Sequence, residues 1–185
     1  DECATAQPVD RGGAGGGRRI GAGGTRHDGA VADVEVTEHM AASPDAVYAM
    51  VSDVTRMGSW SPETTACRWI GGATGPAVGA RFRGTNRRGP LLWQTTCTVT
   101  AAEPGRRFAF DVTFGPAAIA SWAYDVEPVE GGCVVTESWS DRRAGAMRIA
   151  SMPVMGVRDR AAHNRRGMVA TLAALKAAAE SAERA

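Results

Sequence analysis

The sequence predicts an α+β domain in which a curved antiparallel sheet of seven strands packs on one long C-terminal helix. Three observations carry this. Residues 157–185 hold Gly167 as their one breaker and set Met168, Leu172, Leu175 and Ala179 at steps of four, three and four, the spacing of a single helical face. Residues 64–141 contain six strand-like stretches divided by Gly and Pro turns about every 10–15 residues, the signature of an antiparallel meander. Another alternating stretch and a short helix precede them.

In chain order, residues 1–32 stand apart as a leader ahead of a domain spanning 33–185. Positions 12–24 are nearly all Gly, Arg and Ala, and such a segment buries too little apolar surface to offset its ordering entropy, so disorder is expected. Residues 33–40 alternate, with Val34, Val36 and Met40 on one face and Glu35, Thr37 and His39 on the other, as a strand requires. Ser43-Pro44-Asp45 then announces a helix, with a Ser N-cap, proline in the first turn and a carboxylate at the positive end of the dipole. Val47, Met50, Val51 and Val54 share its apolar face, and the run from Met57 through Gly58 to Pro62 ends it.

Six strands are expected at 64–70, 80–86, 91–102, 107–114, 120–129 and 133–140. Phe108, Phe110, Val112 and Phe114 alternate with Ala109, Asp111 and Thr113, and Trp122, Tyr124 and Val126 with Ala123 and Asp125, so one face is apolar and the other wet. A connector rich in Met and Ala, including Met147, Met152 and Met155, leads into the long helix. Its apolar stripe is flanked by Val169 and Ala173.

Composition narrows the function. With 185 residues, 44% of them hydrophobic, and five tryptophans, the chain can build a real core. A net charge of +1 gives no overall field for nucleic acid or a membrane surface, and no apolar run approaches the ~20 residues of a membrane span. Cys3, Cys67, Cys97 and Cys133 are scattered, without metal-ligand spacing. The expectation is a cytoplasmic protein with no metal, no cofactor, no nucleic-acid partner and no stable membrane insertion.

Ser43-Pro44-Asp45-Ala46-Val47-Tyr48, Ser52-Asp53-Val54, Trp60-Ser61-Pro62, Gly75-Pro76 with Val78-Gly79-Ala80-Arg81-Phe82, and Trp93 followed by Glu103-Pro104-Gly105 together resemble the polyketide cyclase/dehydrase family. That family lies within the START-like superfamily, which includes the Bet v 1 allergens. The resemblance runs over about residues 34–180. It implies a helix-grip fold and a cavity between the concave sheet and the long helix.

Given such a cavity, Trp60, Trp69, Phe82, Trp93, Phe110, Trp122, Tyr124 and Trp139 supply an aromatic wall. Met152, Met155, Met168 and Leu172 face it from the far side, where flexible methionines suit an apolar ligand of variable shape. Asn86 shares a face with Phe82 and His163 lies near the start of the long helix, so both are candidate polar contacts. Glu137 is the candidate acid or base. It shares a face with Val135 and Trp139, so if those point inward it is a carboxylate in an apolar cavity, whereas a one-residue slip puts it in water. Arg158, Arg160, Arg165 and Arg166 crowd the start of the helix and Glu180 and Glu183 its end, the reverse of what the dipole favours. With Arg142, Arg143 and Arg148 they suggest an anion-attracting patch at the cavity mouth, weighed against a plain solvated surface.

Three readings follow: a binding or carrier protein for a small hydrophobic or amphipathic ligand such as a lipid or polyketide-like compound; a cyclase or dehydratase-type enzyme using Glu137; and a protein-interaction role, with a homodimer formed through residues 147–155.

Overall fold

The computed structural model describes residues 26–27, 30–145 and 159–184. Within the expected leader, β1 (Arg26–His27) and β2 (Ala30–Val31) pair as a small antiparallel ribbon; residues 1–25 of that leader lie outside the described residues. The main sheet comprises β3 (Val34–Met40), β4 (Thr64–Ile70), β5 (Arg81–Arg88), β6 (Leu91–Glu103), β7 (Arg107–Phe114), β8 (Ala117–Val129) and β9 (Gly132–Asp141). Its order is β3-β9-β8-β7-β6-β5-β4. The meander therefore runs uninterrupted from β4 to β9, and the first strand returns to pair with the last. Register shifts in β4, β6 and, at Ile119, β8 bend the strands, as bulges do, and help the sheet curve around what it holds.

Local chemistry explains the helices. In α1 (Pro44–Ser52) the Ser43 hydroxyl accepts from the N–H of Ala46 at 3.3 Å and Asp45 lies in the first turn. Val47, Met50 and Val51 face the core, followed by Val54 in a 3-10 helix over Val54–Ser59. That helix is pressed onto β4 at Gly58, where a Cβ would lie 2.6 Å from the carbonyl oxygen of Thr65.

The long helix α2 (Arg160–Glu183) starts at Asp159, whose side chain accepts from the N–H of Ala162 at 2.9 Å. Met168, Leu172, Leu175 and Ala179 are all at most 1% exposed, and α2 packs on β3, β9 and α1. The flanks differ from expectation. Val169 is 53% exposed and Ala173 is exposed, while Asn164 and Thr171 are buried. The stripe is narrow because one helix crosses a concave sheet, and its neighbours on one side point to solvent. Phe114 also departs from its alternating partners. It is 58% exposed, since β7 ends there in the Gly115 turn.

The reversed charge pattern of α2 has a structural reason at its C-terminal end. Glu180 accepts from the N–H of Ala41 at 3.1 Å and Glu183 from the N–H of Ser43 at 3.0 Å. These carboxylates therefore sit at the N-terminus of α1, where the dipole favours them, and the Ser43 N–H holds the Glu183 carboxyl below its ordinary range. Among the described residues no helix is long and apolar enough to cross a membrane.

Candidate functional site

The strand register assembles inward-facing rows across the sheet. Val34, Trp139, Trp122, Phe110 and Val99 form one, and Trp69, Phe82, Cys97 and Val112 another. Toward its C-terminal end α2 closes on the sheet as solid core through Leu172, Leu175 and Ala179. Toward its N-terminal end the two layers part and enclose a cavity of about 530 Å³, within the range of small-molecule sites.

Ten of the wall, polar-contact and acid–base candidates named from the sequence line this cavity: Phe82, Asn86, Trp93, Phe110, Trp122, Tyr124, Glu137, Trp139, His163 and Met168. Phe82 meets Phe110 edge-on at 5.1 Å, and Trp122 lies 6.5 Å from Trp139. Three others are not in the wall. Trp60 is buried at the end of the 3-10 helix, with the Arg56 guanidinium 5.3 Å from its ring. Trp69 stands behind Phe82, edge-on at 5.6 Å, because it is one strand further out in the same row. Leu172 is one turn beyond Met168, where helix and sheet already touch. Met152 and Met155 lie outside the described residues.

Glu137 lies on the cavity floor, 2% exposed, since Val135 and Trp139 do point inward. The Tyr124 hydroxyl donates to its Oε1 at 2.9 Å, while its buried Oε2 has no hydrogen-bond partner among the described residues. Burial pushes this carboxyl up to about 8, against a smaller lowering by the Tyr124 hydrogen bond. At neutral pH the group is therefore held largely as the acid, with a proton available at an unpaired oxygen. Tyr124 itself is pushed well above the ordinary phenol range, first by burial and then by Glu137. Asn86 is less available. Its Oδ1 accepts from the Thr64 hydroxyl at 3.1 Å and its Nδ2 donates to Thr95 at 3.3 Å, so its amide ties β4, β5 and β6 together.

The mouth is polar. His163 Nε2 and Glu63 Oε1 are 2.7 Å apart, linking α2 to the turn before β4. Arg87, Arg88, Arg143, Arg160 and Arg166 also line the cavity. Arg143 is held bidentately by Asp141, at 2.9 and 2.7 Å. Two members of the arginine cluster expected from the sequence go elsewhere: Arg165 donates to the Glu35 carbonyl at 3.2 Å and Arg142 to Ser121 at 2.8 Å. Arg148 and Arg158 lie outside the described residues.

Sequence reasoning passed over Glu63, Arg87, Arg88, Asn164 and Thr171. Two of these carried a usable signal. Asn164 is four residues before Met168 on the same helical stripe, and Arg88 continues the step-of-two series Phe82, Gly84, Asn86 along β5. Among the described residues no cluster of three or more His, Cys, Asp or Glu is placed to hold a metal ion.

The pattern of the family described as polyketide cyclase / dehydrase and lipid transport matches residues 31–180. The chain belongs to this family. Its architecture is the helix-grip fold of the START-like superfamily. A polyketide-cyclase-like protein from Corynebacterium glutamicum, solved by NMR, is 36% identical over 77% of this chain and 88% of that one, with a TM-score of 0.54. Major latex-like protein 151 from Panax ginseng is 11% identical over 79% of this chain and 95% of that one, with a TM-score of 0.60. The di-domain ARO/CYC StfQ of the steffimycin biosynthetic pathway is 12% identical with a TM-score of 0.62; 82% of this chain aligns with 51% of it. The last two likenesses concern the fold alone. A comparison with curated proteins gave no match.

Proposed function

We propose that this family member binds a small amphipathic molecule in the cavity between its sheet and α2 and acts as a carrier for it. The observation behind this reading is the cavity itself: Phe82, Phe110, Trp122 and Trp139 wall a space of about 530 Å³ that the side chains of the described residues leave unfilled. Removing about 250 Å² of ligand apolar surface from water would contribute about 6 kcal/mol before association entropy is subtracted, enough for reversible capture. We place this activity in the cytoplasm and without a nucleic-acid partner, which the free thiols of Cys67, Cys97 and Cys133 and the near-neutral net charge support. The homodimer reading rests on residues 147–155, which lie outside the described residues.

A second reading, proton-transfer catalysis of the cyclase or dehydratase kind, is favoured by Glu137. A protonated carboxyl whose Oε2 has no hydrogen-bond partner among the described residues, at the aromatic end of the pocket, suits a general acid beside a ligand carbonyl. StfQ's description as an ARO/CYC lends it fold-level analogy only.

Native mass spectrometry of protein purified from its own source tests the shared premise. A co-purifying small molecule, lost on mild denaturation, is expected. An apo mass at every preparation, with Trp93, Trp122 and Trp139 fluorescence unmoved by amphipathic probes, sinks it. Glu137→Gln then separates the readings, since a carrier keeps its ligand affinity and an enzyme loses turnover.

A further inference from the structure

The cavity is chemically two-ended. Its floor is aromatic and holds a largely neutral Glu137, while its mouth gathers five arginines. Glu63 lines the same mouth and Asp141 holds Arg143, so among the described residues of the mouth five guanidiniums face two carboxylates. This arrangement is electrostatically costly in an empty protein. Arg160 is the first residue of α2, where the dipole disfavours a cation. Its pKa is depressed, mostly by burial and further by Arg143 and Arg88, with Glu63 and Asp141 opposing. Arg88 keeps Nη1 fully buried with no hydrogen-bond partner among the described residues, although a buried charged donor left unpaired is expensive. A folded chain tolerates such a cluster most readily when something else supplies the negative charge.

Building on the ligand-binding reading above, we propose that Arg88, Arg143 and Arg160 form an anion subsite at the cavity mouth. The ligand is then an amphipath with one anionic head, a carboxylate or phosphate monoester, on an apolar body that enters tail first. The head accepts from the guanidiniums and lies near the positive end of α2, while the tail lies against Phe110, Trp122 and Trp139. Guanidiniums suit this task because their fixed, planar donors match both oxyanions. A carboxylate and a phosphate share that chemistry, and the assay distinguishes them.

The test compares ligands of one chain length and different heads. Dodecanoate, dodecyl phosphate and 1-dodecanol, each below its aggregation threshold, are titrated into the full chain by calorimetry or tryptophan fluorescence, with inorganic phosphate as a tail-less control. One or both anions should bind on the order of tenfold or more tightly than the alcohol, and inorganic phosphate alone far more weakly. In Arg88→Gln and Arg160→Gln that preference should collapse toward parity. The ligand-free Tm of Arg160→Gln should hold or rise by about 2–4 °C, since removing a frustrated charge relieves repulsion.

Equal binding of alcohol and anions by the unsubstituted protein overturns the subsite and leaves the cavity reading standing. A preference untouched by both substitutions also overturns it. Inorganic phosphate binding as tightly as dodecyl phosphate refutes the two-ended ligand. Binding of none of the probes removes both proposals together. Because the first comparison uses the unsubstituted chain, a variant that fails to fold does not blunt the test.

Discussion

Tyr124 on β8 and Glu137 on β9 are direct cross-strand partners, and the phenol donates to one carboxyl oxygen at 2.9 Å while the other is buried with no hydrogen-bond partner among the described residues. The pair joins stability to pH, because a carboxyl held as the acid in the fold ionises freely once unfolded.

Glu137 titrates near its ordinary 4.5 in the unfolded chain and near 8 in the fold. Between these values the unfolded state has lost a proton that the native state keeps. This group's contribution is therefore fully present below about pH 4.5 and is lost as pH rises to about 8, at a slope of at most about 1.4 kcal/mol per pH unit. Urea denaturation at a series of pH values measures it. Glu137→Gln should abolish this component, and an identical pH profile in the variant would refute the assignment.

Tyr124→Phe should move the same titration upward, since the phenol hydrogen bond is what lowers the Glu137 pKa. It should also destabilise the fold by about 1–3 kcal/mol, as Oε1 loses its partner in a buried site. Carboxyl-carbon NMR of the labelled protein reads the titration directly. A downward shift would show that Tyr124 does not stabilise the ionised form.

Core and cavity should separate under truncation. Leu172 is in solid core and Trp93 in the cavity wall. Leu172→Ala is expected to cost about 2–5 kcal/mol of stability with little change in affinity for a bound amphipath. Trp93→Ala should do the opposite, with a smaller loss of stability and a clear loss of affinity. Chemical denaturation and ligand titration on both variants check this.

Cys67 lines the cavity and its thiol is pushed up to about 11 by burial. Iodoacetamide at pH 8 should therefore modify it about two orders of magnitude more slowly than a free cysteine, and a bound ligand should slow it further. Peptide mapping at Cys67 gives the rate; labelling at the free-thiol rate would mean the wall is open to water there.

Gly58→Ala should destabilise by about 1–3 kcal/mol, because the new methyl would sit 2.6 Å from the backbone oxygen of Thr65 and force the 3-10 helix off β4. Thermal unfolding tests this; an unchanged Tm would mean that the contact relaxes freely.

Periodicity along the chain carried the local structure. The step of two in Phe108, Phe110 and Val112, the four-three-four spacing on α2, and the Ser-Pro-Asp start of α1 sufficed for element type, order and burial, because each is a local consequence of backbone geometry. Tertiary structure alone decided which aromatics face empty space. Trp69 and Phe82 share a row and a face, yet only Phe82 reaches the cavity, since that depends on where a curved sheet and a straight helix diverge. The partnerships of Glu180 and Glu183 with Ala41 and Ser43, and the meeting of Arg88 with Arg143 and Arg160, likewise join residues dozens of positions apart. Their electrostatics exist only once the chain has closed on itself, and no local pattern encodes a distance of that kind.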